Sequence, residues 1–197
     1  MTTRHMTTGE PASATDDVPA PPGQFVVVVG LVIALWCTGF AAISVWFELT
    51  DQFATGRYAE EADALSVMNW IVAVLKVLGV VAALLAIRSR PVAPRITGTV
   101  LWGAFATVTV YVLGSLAQAV VILTGIAGDG EGVDARSIAY VLAFLVAAVG
   151  FGILAVSYAR RVGLGVWVMV LGVLGAPVVL GGVLVIAPAL LKAAGLL

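Results

Sequence analysis

Five long apolar stretches dominate the 197-residue chain, and they constrain its fold more than any other feature. The hydrocarbon core of a bilayer is about 30 Å thick, so a helix needs about 20 mostly apolar residues to cross it. The stretches lack the alternation of apolar and polar residues that marks the strands of a membrane barrel. They therefore predict an all-α integral membrane bundle, with spans at residues 25–47, 65–87, 96–126, 138–158 and 162–197.

The composition agrees with this prediction and excludes several other classes of protein. Charged residues make up 11% of the chain, whereas a soluble domain has about 25%. The net charge of −1 provides no basic field for nucleic acid. The single cysteine, Cys37, and the single histidine, His5, exclude an intramolecular disulfide and a Cys/His metal cluster. We therefore predict no nucleic-acid partner, no metal site and no cofactor.

The first 23 residues differ from the rest, because they are rich in Thr, Ala, Pro and acidic residues and show no apolar periodicity. Such a segment cannot bury enough apolar surface to offset the entropy lost on ordering. Residues 1–23 are therefore predicted to be a disordered cytoplasmic tail, and residues 24–197 a polytopic membrane domain.

The charges of the connections predict the orientation of the bundle. Two of the four connections lack acidic residues and carry arginines, namely Arg88, Arg90, Arg95, Arg160 and Arg161. The other two, residues 48–64 and 128–137, are mainly acidic. Cytoplasmic loops are enriched in Lys and Arg. The pattern predicts a multi-pass protein of the cell membrane with a cytoplasmic N-terminus and both arginine-containing loops on the cytoplasmic side.

The last apolar stretch allows two interpretations, because 36 residues would make a helix of about 54 Å. In the first, one span over residues 162–182 is kinked at Pro177, and Lys192 lies outside. In the second, two short helices form a hairpin broken near residues 175–177, and Lys192 returns to the cytoplasmic side. The predicted fold therefore has five transmembrane helices, with four helices plus a C-terminal hairpin as the alternative.

Lys76 is the most unusual residue within the spans. It lies eleven residues from either end of the second stretch, where a lysine costs about 2.5–3.5 kcal/mol to insert. Such a residue usually faces the bundle interior and marks a functional site. We assign all the acidic residues to the tail or to the outer connections, so the sequence predicts no carboxylate partner for Lys76 inside the membrane.

Polar residues at a matching depth suggest where Lys76 points. Asn69 shares its helix face, since the two are seven residues apart. Tyr111, Ser115 and Gln118 follow i, i+4, i+7 spacing in the third stretch, and the short connection predicts that the second and third helices are antiparallel neighbours. We therefore predict a polar face between these helices, and these five residues are our hypothetical ligand or ion site. The alternative is that they only join helices by ordinary hydrogen bonds.

The spans are dominated by Ala, Val, Gly and Leu, arginine outnumbers lysine by eight to two, and residues 71–95 read IVAVLKVLGVVAALLAIRSRPVAPR. In these features the chain resembles, over residues 25–160, small multi-pass membrane proteins of high-GC actinobacteria whose domain has no assigned function. The resemblance implies a four-helix membrane module and no particular activity.

Function is less constrained than fold. The sequence contains no Ser/His/Asp set, no HExxH and no phosphate-binding glycine loop, which favours a non-enzymatic role without catalytic residues. We predict a scaffold or accessory subunit that contacts the lipid bilayer and a membrane protein partner or further copies of itself. The alternative is a small transporter or ion pathway that uses the polar face around Lys76.

Overall fold

The computed structural model describes residues 20–55, 59, 62–124, 135–182 and 189–190. Within them, the chain forms five principal α-helices: α1 (Gln24–Leu49), α2 (Ala62–Ala86), α3 (Pro94–Leu123), α4 (Ala135–Val162) and α5 (Val166–Gly181). A short 3-10 helix, Gln52–Ala54, follows α1. Helices α1 to α4 are long and apolar enough to cross a membrane, and α5 is a shorter apolar helix. The prediction of a helical membrane bundle is confirmed.

Two connections show how the sequence sets the helix boundaries. Pro94 occupies the first turn of α3, where its missing N–H is not needed. Helix α4 ends in a Schellman motif: Gly163 has a φ of +63°, and the N–H of Leu164 donates to the carbonyl of Ala159 at 3.0 Å. The motif ends α4, and α5 begins three residues after Gly163, at Val166.

The C-terminal stretch differs in part from both interpretations of the sequence. Helix α5 continues through Pro177 and ends at Gly181, so the predicted break near residues 175–177 is wrong. Membrane helices tolerate an internal proline when neighbouring helices support them, and α5 packs along α3. At 16 residues, α5 is about 24 Å long. The predictions for Lys192, for the tail up to residue 19 and for the loop at residues 125–134 lie outside the described residues.

The helices form two groups. Helices α1 and α2 pack closely as an antiparallel hairpin, and α3 packs against both α4 and α5. A contact between α1 and α4 joins the groups, whereas α2 and α3 touch little despite their short connection. The core between the groups contains four fully buried large side chains, those of Ile33, Leu101, Leu154 and Tyr158.

Small residues allow the helices to approach closely. A Cβ atom added at Gly172 of α5 would lie 2.6 Å from the Cβ of Trp102 and 2.7 Å from the carbonyl oxygen of Thr99, both on α3. A Cβ added at Gly79 of α2 would lie 3.1 Å from the Sγ of Cys37 on α1. Because lipid tails are as apolar as the side chains, membrane helices associate by such close packing rather than by hydrophobic burial.

Candidate functional site

The side chain of Lys76 points toward α1. Its terminal nitrogen donates one hydrogen bond to the carbonyl oxygen of Phe40 at 3.1 Å and another to the hydroxyl of Ser44 at 2.7 Å. The same nitrogen lies 5.7 Å from the centre of the Phe40 ring, within the range of a cation–π contact. Ser44 itself is only 3% exposed. Lys76 therefore faces the interior of the α1–α2 hairpin.

Asn69 and Glu48 extend these contacts toward the connected end of the hairpin. The side-chain amide nitrogen of Asn69 donates to the carbonyl oxygen of Ser44 at 2.8 Å and to Oε1 of Glu48 at 2.7 Å. The hydroxyl of Ser66 donates to Oε2 of Glu48 at 2.6 Å. We call the set Ser44, Glu48, Ser66, Asn69 and Lys76 the polar seam.

Helical spacing explains why these side chains meet. Ser66, Asn69 and Lys76 are three and seven residues apart, so they share one face of α2. Ser44 and Glu48 are four residues apart on α1, which extends to Leu49 and so includes Glu48 in its last turn. The structure thus corrects the assignment of Glu48 to a connection, because Glu48 lies within α1. The i, i+4 pair of Ser44 and Glu48 was the signal in the sequence that could have revealed it.

The predicted polar face between α2 and α3 is wrong. Only Lys76 and Asn69 come together, and their partners lie on α1. Tyr111 lies instead against α4, where its ring centre is 4.5 Å from that of Phe144. Ser115 is half-buried on α3, and Gln118 is exposed.

The physical reason is that small residues decided which helices became neighbours, and the length of the connection did not. Gly172 of α5 lies against α3, and a Cβ added at Gly152 of α4 would lie 3.1 Å from the ring of Phe105 on α3. These close approaches hold α3 against α4 and α5. A short connection limits the distance between two helix ends, and it does not fix the face that each helix presents.

The depth of the Lys76 amine also differs from that of its backbone. A helical side chain leans toward the N-terminus of its helix, and for Lys76 this is the end at which α1 joins α2. Ser44, its partner, is five residues before the end of α1, a distance of about 7.5 Å along the axis. Lys76 thus reaches from the middle of α2 toward the connected end of the hairpin while it remains inside the hairpin.

The seam joins two helices and brings one basic and one acidic side chain into a single hydrogen-bonded set. Glu48 accepts from Ser66 and Asn69, and Lys76 donates to Ser44 and Phe40. Interhelical hydrogen bonds in membranes are worth about 0.6 kcal/mol on average.

No group of three or more potential metal-ligating His, Cys, Asp or Glu side chains occurs within the residues that the structure describes.

The opposite end of the bundle is held by Arg161. Its guanidinium donates to the carbonyl oxygens of Ala86 at 2.8 Å and Arg88 at 3.0 Å, at the end of α2. Terminal carbonyls of a helix have no intrahelical partner, so an arginine can satisfy them. We call this the arginine end of the bundle, because Arg88 and Arg90 lie in the connection after α2, and Arg95, Arg160 and Arg161 lie in the adjoining turns of α3 and α4.

Comparison with known proteins adds no assignment, since no family model, curated protein or solved structure matches this chain. The resemblance to actinobacterial multi-pass proteins stays a prediction. So does a ligand-binding or ion-binding role for Lys76, Asn69, Tyr111, Ser115 and Gln118.

Proposed function

We propose that the protein is a non-enzymatic scaffold of the cell membrane that assembles with further copies of itself through α3. The observation that carries the proposal is a polar stripe on the C-terminal half of α3 that the rest of the bundle leaves largely exposed. The stripe comprises Tyr111, Gly114, Ser115 and Gln118. Because these residues follow i, i+3/i+4, i+7 spacing, they share one face of the helix.

The stripe is largely exposed, although the Tyr111 ring also packs on Phe144 of α4 and Ser115 is half-buried. Among the four long helices, α3 has the smallest buried share. Tyr111 is 47% exposed, Gln118 is exposed, and a Cβ added at Gly114 would have no neighbour within 4 Å. A polar side chain that faces hydrocarbon loses its hydrogen bonds to water, which favours a partner that restores them.

A second copy of the chain suits this stripe. The amide of Gln118 is both a donor and an acceptor, so two such amides satisfy each other across a twofold axis. Gly114 and Ser115 are small, which permits close approach of two helices. In contrast, the polar groups of the seam already bond to one another, and this leaves them less suited to hold a partner or a substrate.

Disulfide trapping tests the assembly. In a Cys37→Ala background, Gln118→Cys should give a covalent dimer when native membranes are oxidised, because the two copies of residue 118 face each other. The matched control is Leu142→Cys on α4, which is 55% exposed and lies at a similar distance from its helix end. The dimer band, measured on a non-reducing gel, should be far stronger at position 118.

Three outcomes would contradict self-assembly through α3. Equal trapping at positions 118 and 142 would indicate random collision. A mixed disulfide with a different protein would make the chain an accessory subunit of that protein. A disulfide between Gln118→Cys and a cysteine introduced at Ala194 of the same chain would mean that the C-terminal segment covers the stripe.

The alternative function, a transport or ion pathway around Lys76, stays a prediction with its own test. If Lys76 serves an ion path, Lys76→Met should abolish flux into reconstituted vesicles while the protein keeps its fold. The polar face between α2 and α3 that this alternative assumed is absent from the part of the chain that the structure describes.

The orientation is part of the proposal, and it is supported by the five arginines at the arginine end of the bundle. We expect the arginine end to lie in the cytoplasm. In the Cys37→Ala background, an impermeant thiol reagent applied to intact cells should label a cysteine at Thr50 and spare one at Val92. Both positions are exposed. Labelling of Val92→Cys alone would reverse the orientation.

A further inference from the structure

A groove opens on the surface of the bundle at its arginine end. One wall is a face of α4, the floor includes Phe105 of α3, and residues 20–23 pass beside it before α1 begins. The α4 side chains that line it include Val149, Ile153, Val156, Ser157 and Arg160. Gly152 lies on the groove side of α4 with the Phe105 ring close to it, so no side chain at that position fills the space.

The spacing of the lining residues makes one continuous track. Val149, Ile153, Val156 and Arg160 follow i, i+4, i+7, i+11 spacing, so they share a face of α4. The track is about 16 Å long at 1.5 Å per residue. Half of the hydrocarbon core measures about 15 Å. The apolar part of the track, from Val149 to Val156, is about 10 Å long, so it fits the upper part of an acyl chain of one leaflet, and Arg160 lies where the headgroup of that lipid would be.

The two arginines at the end of the track have different tasks. Arg161 donates to the carbonyls that end α2, so its guanidinium is committed to the protein. Arg160 is exposed and makes no hydrogen bond or ion pair with the described residues. The two nearby connections, residues 87–93 and 163–165, contain no acidic residue. Arg160 is thus a cation at the membrane boundary with no counter-ion in either loop.

We propose that this groove binds one anionic phospholipid. Its acyl chain lies along Val149, Ile153 and Val156, and its phosphate is held by Arg160 beside the Ser157 hydroxyl. A guanidinium binds phosphate strongly through paired, charge-assisted hydrogen bonds, and basic pockets between membrane helices are a known way to hold anionic headgroups. The site is separate from the α3 stripe, so it does not depend on self-assembly.

Lipid binding to the full-length protein in detergent tests the proposal. Native mass spectrometry with phosphatidylglycerol and with phosphatidylcholine of the same acyl chains should show preferential retention of one phosphatidylglycerol. Arg160→Gln should weaken that binding about tenfold, the loss expected for one charge-assisted hydrogen bond. The matched control is Arg90→Gln, which removes an exposed arginine at the same end outside the groove and should leave the affinity unchanged.

A second variant separates a bound lipid from a bound phosphate. Val156→Trp fills the track and leaves Arg160 in place, so it should weaken phosphatidylglycerol binding and leave any binding of glycerol 1-phosphate unaltered. Val156 is 38% exposed, so its replacement should not disturb the core, and an unchanged melting temperature in neutral lipid would verify this.

The proposal is overturned by any of three results. The first is equal retention of the two lipids by the wild-type chain. The second is an equal loss of phosphatidylglycerol binding in Arg160→Gln and Arg90→Gln, which would indicate only a diffuse attraction of the lipid to positive charge. The third is weakened glycerol 1-phosphate binding in Val156→Trp, because the phosphate and not the acyl chain would then occupy the track.

Discussion

Gly172→Ala should lower the free energy of unfolding by about 1–3 kcal/mol, although it adds a single methyl group. The added carbon would lie 2.7 Å from the carbonyl oxygen of Thr99 and 3.2 Å from the backbone nitrogen of Gly103. Backbone atoms within a helix cannot rotate away as the end of a side chain can. The substitution must therefore push α5 away from α3, and every contact along that pair weakens.

The matched control is Gly175→Ala, one turn further along α5. A Cβ at Gly175 would have no neighbour within 4 Å, and alanine is a better helix former than glycine by about 1 kcal/mol. Reversible unfolding in mixed micelles, or the thermal midpoint in detergent, should therefore place Gly175→Ala at or above the wild type. Equal stabilities of the two alanine variants would contradict the close approach of α3 and α5 at Gly172.

Asn69→Leu should also destabilise the protein by about 1–3 kcal/mol. It removes the two hydrogen bonds from the Asn69 amide and leaves the Glu48 carboxylate with only Ser66 among its described partners. Lys76→Met, on the same face of α2, is the comparison. Without the lysine, neither of its two acceptors is left unpaired. The Phe40 carbonyl still accepts its hydrogen bond within α1, and the Ser44 hydroxyl can donate to a carbonyl of the preceding turn of α1. Replacing the lysine by an apolar side chain of similar volume should therefore be neutral or stabilising.

Unfolding of the two variants in the same detergent gives the ranking. If Lys76→Met lowers the free energy of unfolding more than Asn69→Leu does, then Lys76 balances the charge of Glu48 across the seam. The double variant gives the coupling: independent effects add to within about 0.5 kcal/mol, whereas members of one network do not.

The sequence predicted the helices well because hydropathy records depth in the membrane. The first four stretches correspond to α1–α4. Lys76, which the sequence places near the middle of the second stretch, lies in α2. The error at α1 was small in residues and large in consequence. Ending the helix at Phe47 put Glu48 in a loop and hid the acceptor for Ser66 and Asn69.

The direction in which each polar face points was not predictable in the same way. An all-apolar helix has no apolar stripe that marks its buried side, so the neighbours of α2 and α3 depend on where small residues permit close approach. Gly79 lets Cys37 of α1 pack closely against α2, whereas Gly172 lets Trp102 of α3 pack closely against α5. Such pairings depend on the complementary shapes of two helix surfaces. The pattern of hydropathy along the chain does not reveal these shapes.

The α1–α2 hairpin has a consequence for biosynthesis. Lys76 emerges from the ribosome only after Phe40 and Ser44, which accept its hydrogen bonds. A lysine at the centre of an isolated helix is costly to transfer from the translocon into lipid. If α1 stays at the lateral gate of the translocon until α2 is made, the two helices can enter the bilayer together. The Lys76 amine then enters the hydrocarbon core already bonded to Phe40 and Ser44. We therefore expect the two helices to leave the translocon as a pair, before α3 arrives.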